Sequence, residues 1–250
     1  MIILEVAAPF YLDWMFWSVI VASIAIVLSQ LPPLHVMLRR AKLEVELYSR
    51  MLITHKIGNP NGALHIIINN VGGREIRIKE MALRVHPGTK DEFVLTGNSY
   101  FRSPEDKAGL LLTPFRLKPG EQWAYTVNFF TVFSRQEEKA FREIQSNLRN
   151  DINGKLKINR NELAVAEEQN VRPIMDFFKN KFRWQPGEYK FRLEIETEPK
   201  QARFTKEFRL TLFESDSKEL ESYCNEYKSG FCVYIDSSTN LGLWLRLTEG

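Results

Sequence analysis

The chain has 250 residues, 44% of them hydrophobic and 26% charged, with 34 Lys and Arg against 31 Asp and Glu for a formal net charge of +3. Together with a mean hydropathy of −0.27, this is the composition of an ordinary globular protein and excludes one that crosses a membrane many times. The basic excess is too small for a nucleic-acid footprint, which needs Lys and Arg gathered on one face.

The first informative stretch is residues 14–38, which hold no Asp, Glu, Lys or Arg. Its apolar part, WMFWSVIVASIAIVL, runs on through Ser29, Gln30 and Leu31 to Pro32 and Pro33. About 20 apolar residues cross a hydrocarbon layer as a helix, so the segment predicts a single transmembrane anchor within residues 1–40. Trp14 and Trp17 stand where amphipathic rings favour the headgroup zone, and Arg39, Arg40 and Lys42 follow the other end. A cleaved signal peptide and a buried core helix are the alternatives; the first lacks its basic start, and the second needs burial on every side. The basic flank predicts a cytoplasmic C-terminal domain with the N-terminus outside. Cys224 and Cys232 leave the reverse topology open, because a hairpin can pair them as a disulfide in an oxidising compartment. No N-x-Ser/Thr acceptor occurs in the chain.

Residues 41–250 read as one β-rich domain. Residues 42–47 alternate K-L-E-V-E-L, the period of a half-buried strand. Gly58-Asn59-Pro60-Asn61-Gly62 is a turn signal, followed by the apolar run of residues 63–68. In residues 75–85, Ile76 and Ile78 share one parity while Met81, Leu83 and Val85 share the other, which predicts a bulge near Glu80. Residues 92–95 form a short strand and residues 97–107 a polar loop. Two strands enter from Pro-Gly-Glu turns, one carrying Trp123, Tyr125, Val127 and Phe129 on a single face, the other spanning residues 188–196.

The segment Leu64-His-Ile-Ile-Ile-Asn-Asn-Val-Gly-Gly73, the two Pro-Gly-Glu turns and Tyr189 at a corner position together resemble the bacterial immunoglobulin-like β-sandwich, in its CARDB-like and fibronectin-like forms. The resemblance covers residues 42–213. It implies an antiparallel sandwich, and it carries over no site, since such domains bind proteins, sugars or nothing known.

Residues 131–183 interrupt that pattern with helical periodicity. Ser134 to Glu137 spells a capping box, and Phe141, Ile144 and Leu148 repeat at helical spacing. Asn153-Gly154 reads as a turn, Asn161 as the cap of a second helix, and Pro173 as the first turn of a third that carries Ile174, Phe177, Phe178 and Phe182. Residues 188–196 and 202–213 form a hairpin in which Arg203, Glu207 and Arg209 are cross-strand charge partners. Residues 215–227 read as a polar helix. The tail, residues 231–235 and 241–247 around the turn 236–240, either adds a hairpin or docks on the helical insertion.

The search for chemistry is negative: the chain contains no GxGxxG, GxxxxGK[ST], HExxH, GxSxG or CxxC. His35, His55, His65 and His86 lack zinc spacing. The calcium-like Asp151-Ile-Asn-Gly154 is spoiled by Arg149 and Arg160 at ligand positions. No cofactor, metal or small-molecule substrate is implied. The expected function is non-catalytic: a membrane-held, cytoplasmic β-sandwich that positions a protein partner, with Phe141, Phe177, Phe178 and Trp244 as candidate contacts and the lipid bilayer as a second partner. The alternatives are an effector that perturbs membranes by homo-oligomerising, with Ser18, Ala22, Ser23, Ala25 and Ser29 letting helices approach, and an envelope-facing binding module.

Overall fold

The computed structural model describes residues 11, 13–30, 39–88, 91–103, 106, 108–158, 164–235 and 242–249. Asn161, the turn at 236–240 and residues 31–38 of the proposed span lie outside these.

Helix α1 covers Trp14–Gln30, 17 residues. At 1.5 Å per residue it rises about 25 Å, short of the roughly 30 Å of a hydrocarbon core. No helix among the described residues is long and apolar enough to cross a membrane, which overturns the transmembrane anchor. The sequence count reached spanning length only by running past Gln30 into Pro32 and Pro33, and a proline pair disfavours helical backbone before and within it.

The body is an antiparallel sheet. Its strands are β1 (Leu43–Lys56), β2 (Asn59–Asn70), β3 (Ile76–Pro87), β4 (Phe93–Phe101), β5 (Leu110–Leu111), β6 (Phe115–Leu117), β7 (Gln122–Phe130), β8 (Gly187–Glu198), β9 (Phe204–Leu212), β10 (Leu243–Arg246) and β11 (Thr248–Glu249). They follow one hydrogen-bonded path, β10-β1-β2-β7-β4-β3-β8-β9-β11, with β5 on β4 and β6 on β3. β4 joins the two halves: residues 93–96 pair with β3, and residues 96–101 pair with β7 across a bulge between Gly97 and Ser99. The C-terminal segment nearly closes the path. Residues 243–246 pair with β1, the Leu247 amide donates to the Ser49 carbonyl at 2.8 Å, and Thr248 and Glu249 then pair with β9.

The alternation read from the sequence is the burial observed. Leu43 and Val45 of β1 are buried between exposed Lys42, Glu44 and Glu46. The bulge foreseen near Glu80 lies between Ile78 and Glu80, and it returns Met81, Leu83 and Val85 to the core beside Ile76 and Ile78. Asn70 ends β2 with its side chain buried: Nδ2 donates to the carbonyls of Arg74 and Leu117, both at 2.9 Å, and Oδ1 accepts from the Gly72 amide at 3.0 Å. Gly72 must be glycine, because a Cβ there would stand 2.5 Å from the Arg40 carbonyl oxygen. Tyr189 donates to the carbonyls of Gln185 and Arg183 at 2.7 and 3.1 Å, and burial raises its pKa to about 12. On the outer face Arg203 meets Glu196, Arg192 meets Glu207 and Arg209 meets Glu188, the charge pairing expected there.

The turn after β1 differs from its reading. Ile57 and Gly58 alone connect β1 to β2, with φ of 51° and 80°, while Asn59, Pro60, Asn61 and Gly62 belong to the strand. A two-residue turn with both φ positive matches the twist of a hairpin, and it leaves the Asn-Pro-Asn-Gly run free to pair with residues 53–56.

The helical insertion comprises α2 (Arg135–Ile158) and α3 (Glu168–Lys181). The capping box at the start of α2 is present: the Ser134 amide donates to Glu137 at 2.8 Å, and the Glu137 amide donates to Ser134 Oγ at 3.3 Å. The predicted turn at Asn153-Gly154 does not form, and α2 runs straight through it. α3 starts at Glu168, five residues before Pro173, which lies inside the helix. The hairpin tip holds the insertion in place. Gly58 lies so close to α3 that a Cβ would stand 2.5 Å from the Phe178 carbonyl oxygen. Helix α4 (Glu214–Ser222) and a 3-10 turn over Tyr223–Ser229 complete the lobe. Trp184 is fully buried where lobe and sheet meet, donating from Nε1 to the Thr54 carbonyl at 2.7 Å, while its own carbonyl accepts from Ser217 Oγ at 2.8 Å.

Candidate functional site

The four aromatic contacts proposed from sequence divide. Phe141 and Phe178 are buried and Phe177 is half-buried. Phe141, Phe177 and Phe133 meet in tilted and edge-on contacts at centroid distances of 5.5 to 5.9 Å, and Phe178 meets Phe182, His55 and Tyr227 in the same way. These rings bind the insertion to itself and to the hairpin tip. Trp244 differs: it is 49% exposed on β10, while its neighbours Leu243 and Leu245 are half-buried.

Trp244 stands at one wall of a groove of about 720 Å³ on the outer face of β1, β2 and β7. Leu52, Ala63 and Thr126 lie along it, with Asn61 and Asn128; Phe101, Ser103 and Asp106 form the opposite wall and Phe130 contributes a further ring. Asp106 is the one charged residue lining it among those described, and its carboxylate accepts from the amides of Arg102 and Ser103 at 2.9 and 3.1 Å. Asn128 donates to Ser99 at 3.3 Å, and the Asn61 side-chain oxygen is buried without a described hydrogen-bond partner. The sequence carried part of this signal in β7. With Trp123, Val127 and Phe129 inward, Thr126, Asn128 and Phe130 fall on the other parity and line the outer face. Asn61 was hidden by the turn reading of its neighbours.

Helix α1 is the second exposed feature. Apart from Phe16 and Ile20, every residue of 14–29 is exposed, Trp14 at 87%. The hydroxyls of Ser18, Ser23 and Ser29 donate to the carbonyls of Met15, Val19 and Ile26 at 2.7 to 2.8 Å. The serines thus satisfy themselves within the helix. Trp17 donates to the Tyr11 carbonyl at 2.8 Å, and Arg39 and Arg40 are exposed beyond it.

His55 and Glu137 are each held by hydrogen bonds within the fold. His55 accepts from the Gly58 amide at Nδ1, 3.1 Å away, so Nε2 carries the proton and donates to the Leu220 carbonyl at 2.7 Å. Burial among Phe178, Phe182 and Tyr223 lowers its pKa. Glu137 pairs with Lys181, and this bond, with the Ser134 amide, holds its pKa at about 2. Cys224 is buried and Cys232 half-buried, the two are not joined as a disulfide, and burial raises the pKa of Cys224. Among the described residues no group of His, Cys, Asp and Glu converges as a metal site.

No protein-family model and no curated protein matches the chain. Among solved structures it is similar to one from Bordetella pertussis, provisionally named an ApaA protein, at 13% identity over 69% of this chain and 95% of that one, with a TM-score of 0.28. So weak a likeness transfers neither fold nor role. What stands is an antiparallel β-rich fold whose sheet is nearly closed, without confirmation of the immunoglobulin-like resemblance.

Proposed function

We propose that this chain is a non-catalytic binding module that associates with lipid through α1 and recruits a protein partner through its β-rich domain. The observation that carries the reading is the exposure of α1: a helix apolar on all sides requires cover that the described domain does not supply. A lipid phase supplies it without a crossing. Trp14 and Trp17 suit the headgroup boundary, and Arg39 and Arg40 suit anionic lipid. The serine hydroxyls, bonded within the helix, carry no unmet polar demand into that phase. Kinship with immunoglobulin-like domains belongs to the same reading, supported by the Tyr189 corner bonds, which such folds share.

Flotation of the full chain with vesicles of equal phosphatidylcholine and phosphatidylglycerol tests it. The chain should rise with the lipid, and a Val21→Glu/Ile24→Glu variant should stay at the bottom. A wild-type chain that remains at the bottom as a soluble monomer sinks the lipid half of the reading.

A further inference from the structure

The sheet closes along only part of β1. β10 pairs with residues 50–53, and the last contact is the Leu247 amide on the Ser49 carbonyl. At that point β1 bulges, its register against β2 jumping between Leu47 and Met51, and the C-terminal segment leaves it for β9. Beyond the bulge, residues 43–47 pair with β2 on one side and with no described strand on the other. The ladder shows which groups face that open side. The Val71 amide donates to the Lys42 carbonyl at 3.1 Å, so Lys42, Glu44 and Glu46 turn their backbone groups to β2. Leu43, Val45 and Leu47 turn theirs outward, along the free edge.

Proteins usually blunt such an edge with proline, a bulge or an inward-pointing charge. β9 is blunted in this way, since Lys206 occupies the inward parity of Phe208 and Leu210. Residues 43–47 hold no proline and no inward-pointing charge, the bulge lies only past Leu47, and their inward side chains are all apolar. Exposed Glu44 and Glu46 flank the edge on the solvent face.

We propose that the free edge of β1 at residues 43–47 is a strand-addition site for an extended basic segment of a partner protein. Backbone groups of Leu43, Val45 and Leu47 hold the added strand, and Glu44 and Glu46 select Lys or Arg at its alternate positions. With residues 43–47 themselves facing one another, charge argues against a second copy as the occupant; a shifted pairing about Leu43, which would set Lys42 opposite Glu44, is the outcome that sedimentation velocity reads. Antiparallel self-pairing about Val45 places Glu44 opposite Glu46 twice, and pairing about Glu46 places that residue opposite itself. The inference deepens the partner-binding half of the proposed function and is independent of lipid.

The test is fluorescence anisotropy with labelled KVKVKV and EVEVEV peptides, using the full chain in mild non-ionic detergent without vesicles. The wild type should bind KVKVKV and not EVEVEV. Val45→Pro removes an amide that β2 does not use, so the variant should keep its circular dichroism and bind KVKVKV roughly tenfold more weakly. Glu44→Lys/Glu46→Lys should reverse the peptide preference and keeps the test decisive if the proline variant fails to fold. Three results overturn the proposal: no binding of KVKVKV by the wild type, no change of preference on charge reversal, or dimers in sedimentation velocity that Val45→Pro disperses, which would make a second copy the occupant. Because no lipid is present, none of these outcomes depends on flotation.

Discussion

α1 and the helices of the insertion are both rich in apolar residues, yet they end in opposite environments. On α2 and α3 the apolar residues repeat at helical spacing beside Glu138, Arg142 and Lys181, so one stripe turns inward and Phe141, Leu148, Ile174 and Phe178 are buried. On α1 no polar face exists to set an orientation, and its apolar residues stay exposed. Apolar content alone therefore does not place a helix in a core; a one-sided pattern does. The energetic corollary is that the insertion and its junction with the sheet carry stability, and α1 carries almost none.

The largest expected effect is at that junction. Trp184→Ala removes a fully buried ring and the donor to the Thr54 carbonyl, so it should destabilise the domain by about 3–5 kcal/mol in urea titration. A loss under about 1 kcal/mol would mean that lobe and sheet are weakly coupled. Asn70 comes next. Asn70→Leu keeps the branching of the side chain but strands the Gly72 amide and the carbonyls of Arg74 and Leu117, and should cost about 2–3 kcal/mol.

How much of this was legible follows from the kind of pattern involved. Period-two alternation gave the burial of β1, β3 and β8, and the parity change after Ile78 gave the β3 bulge, because side-chain direction in a strand is fixed by position alone. The capping box at Ser134 was legible for the same reason: its two hydrogen bonds are local. The errors lie where local signals compete with tertiary contacts. Asn153-Gly154 has turn chemistry, yet α2 is pinned on both sides of it, with Ile152 buried before it and Lys155 Nζ donating to the Val165 carbonyl at 2.9 Å after it. The Asn59 to Gly62 run was absorbed into β2 once Ile57 and Gly58 had made the turn. Of the groove, only Trp244 was named in advance. Its other walls come from strands and loops distant in sequence, which no spacing rule connects.

The His55 contact should show in acid. Its folded pKa lies below the usual value near 6.5, so the unfolded chain binds the proton more readily. Stability from this site is then complete above about pH 6.5, falls as pH drops below that value and levels off below the folded pKa. Urea midpoints between pH 7.5 and 5 should decline in the wild type and decline less in His55→Gln. Glu137 works in a separate window. With its pKa held near 2, its contribution is complete above the ordinary carboxylate range and is lost only as the pH falls toward 2. A midpoint that stays level from pH 7.5 to 5 would show that the ring is not buried in solution as it is among Phe178, Phe182 and Tyr223.

The smallest effect on stability is expected at α1, and it sharpens the comparison most. Val21→Glu/Ile24→Glu places two carboxylates on a helix whose side chains already meet solvent, so no core is disturbed and no buried charge is created. The urea midpoint should match that of the wild type within about 0.5 kcal/mol, the range of substitutions away from packed features. The same variant is expected to lose flotation with vesicles, so stability and association would separate in one protein. A stability loss of 2 kcal/mol or more would instead mean, on the scale of buried apolar side chains, that α1 docks on the domain in solution. Its apolar surface would then be covered from within, and the case for lipid would go with it.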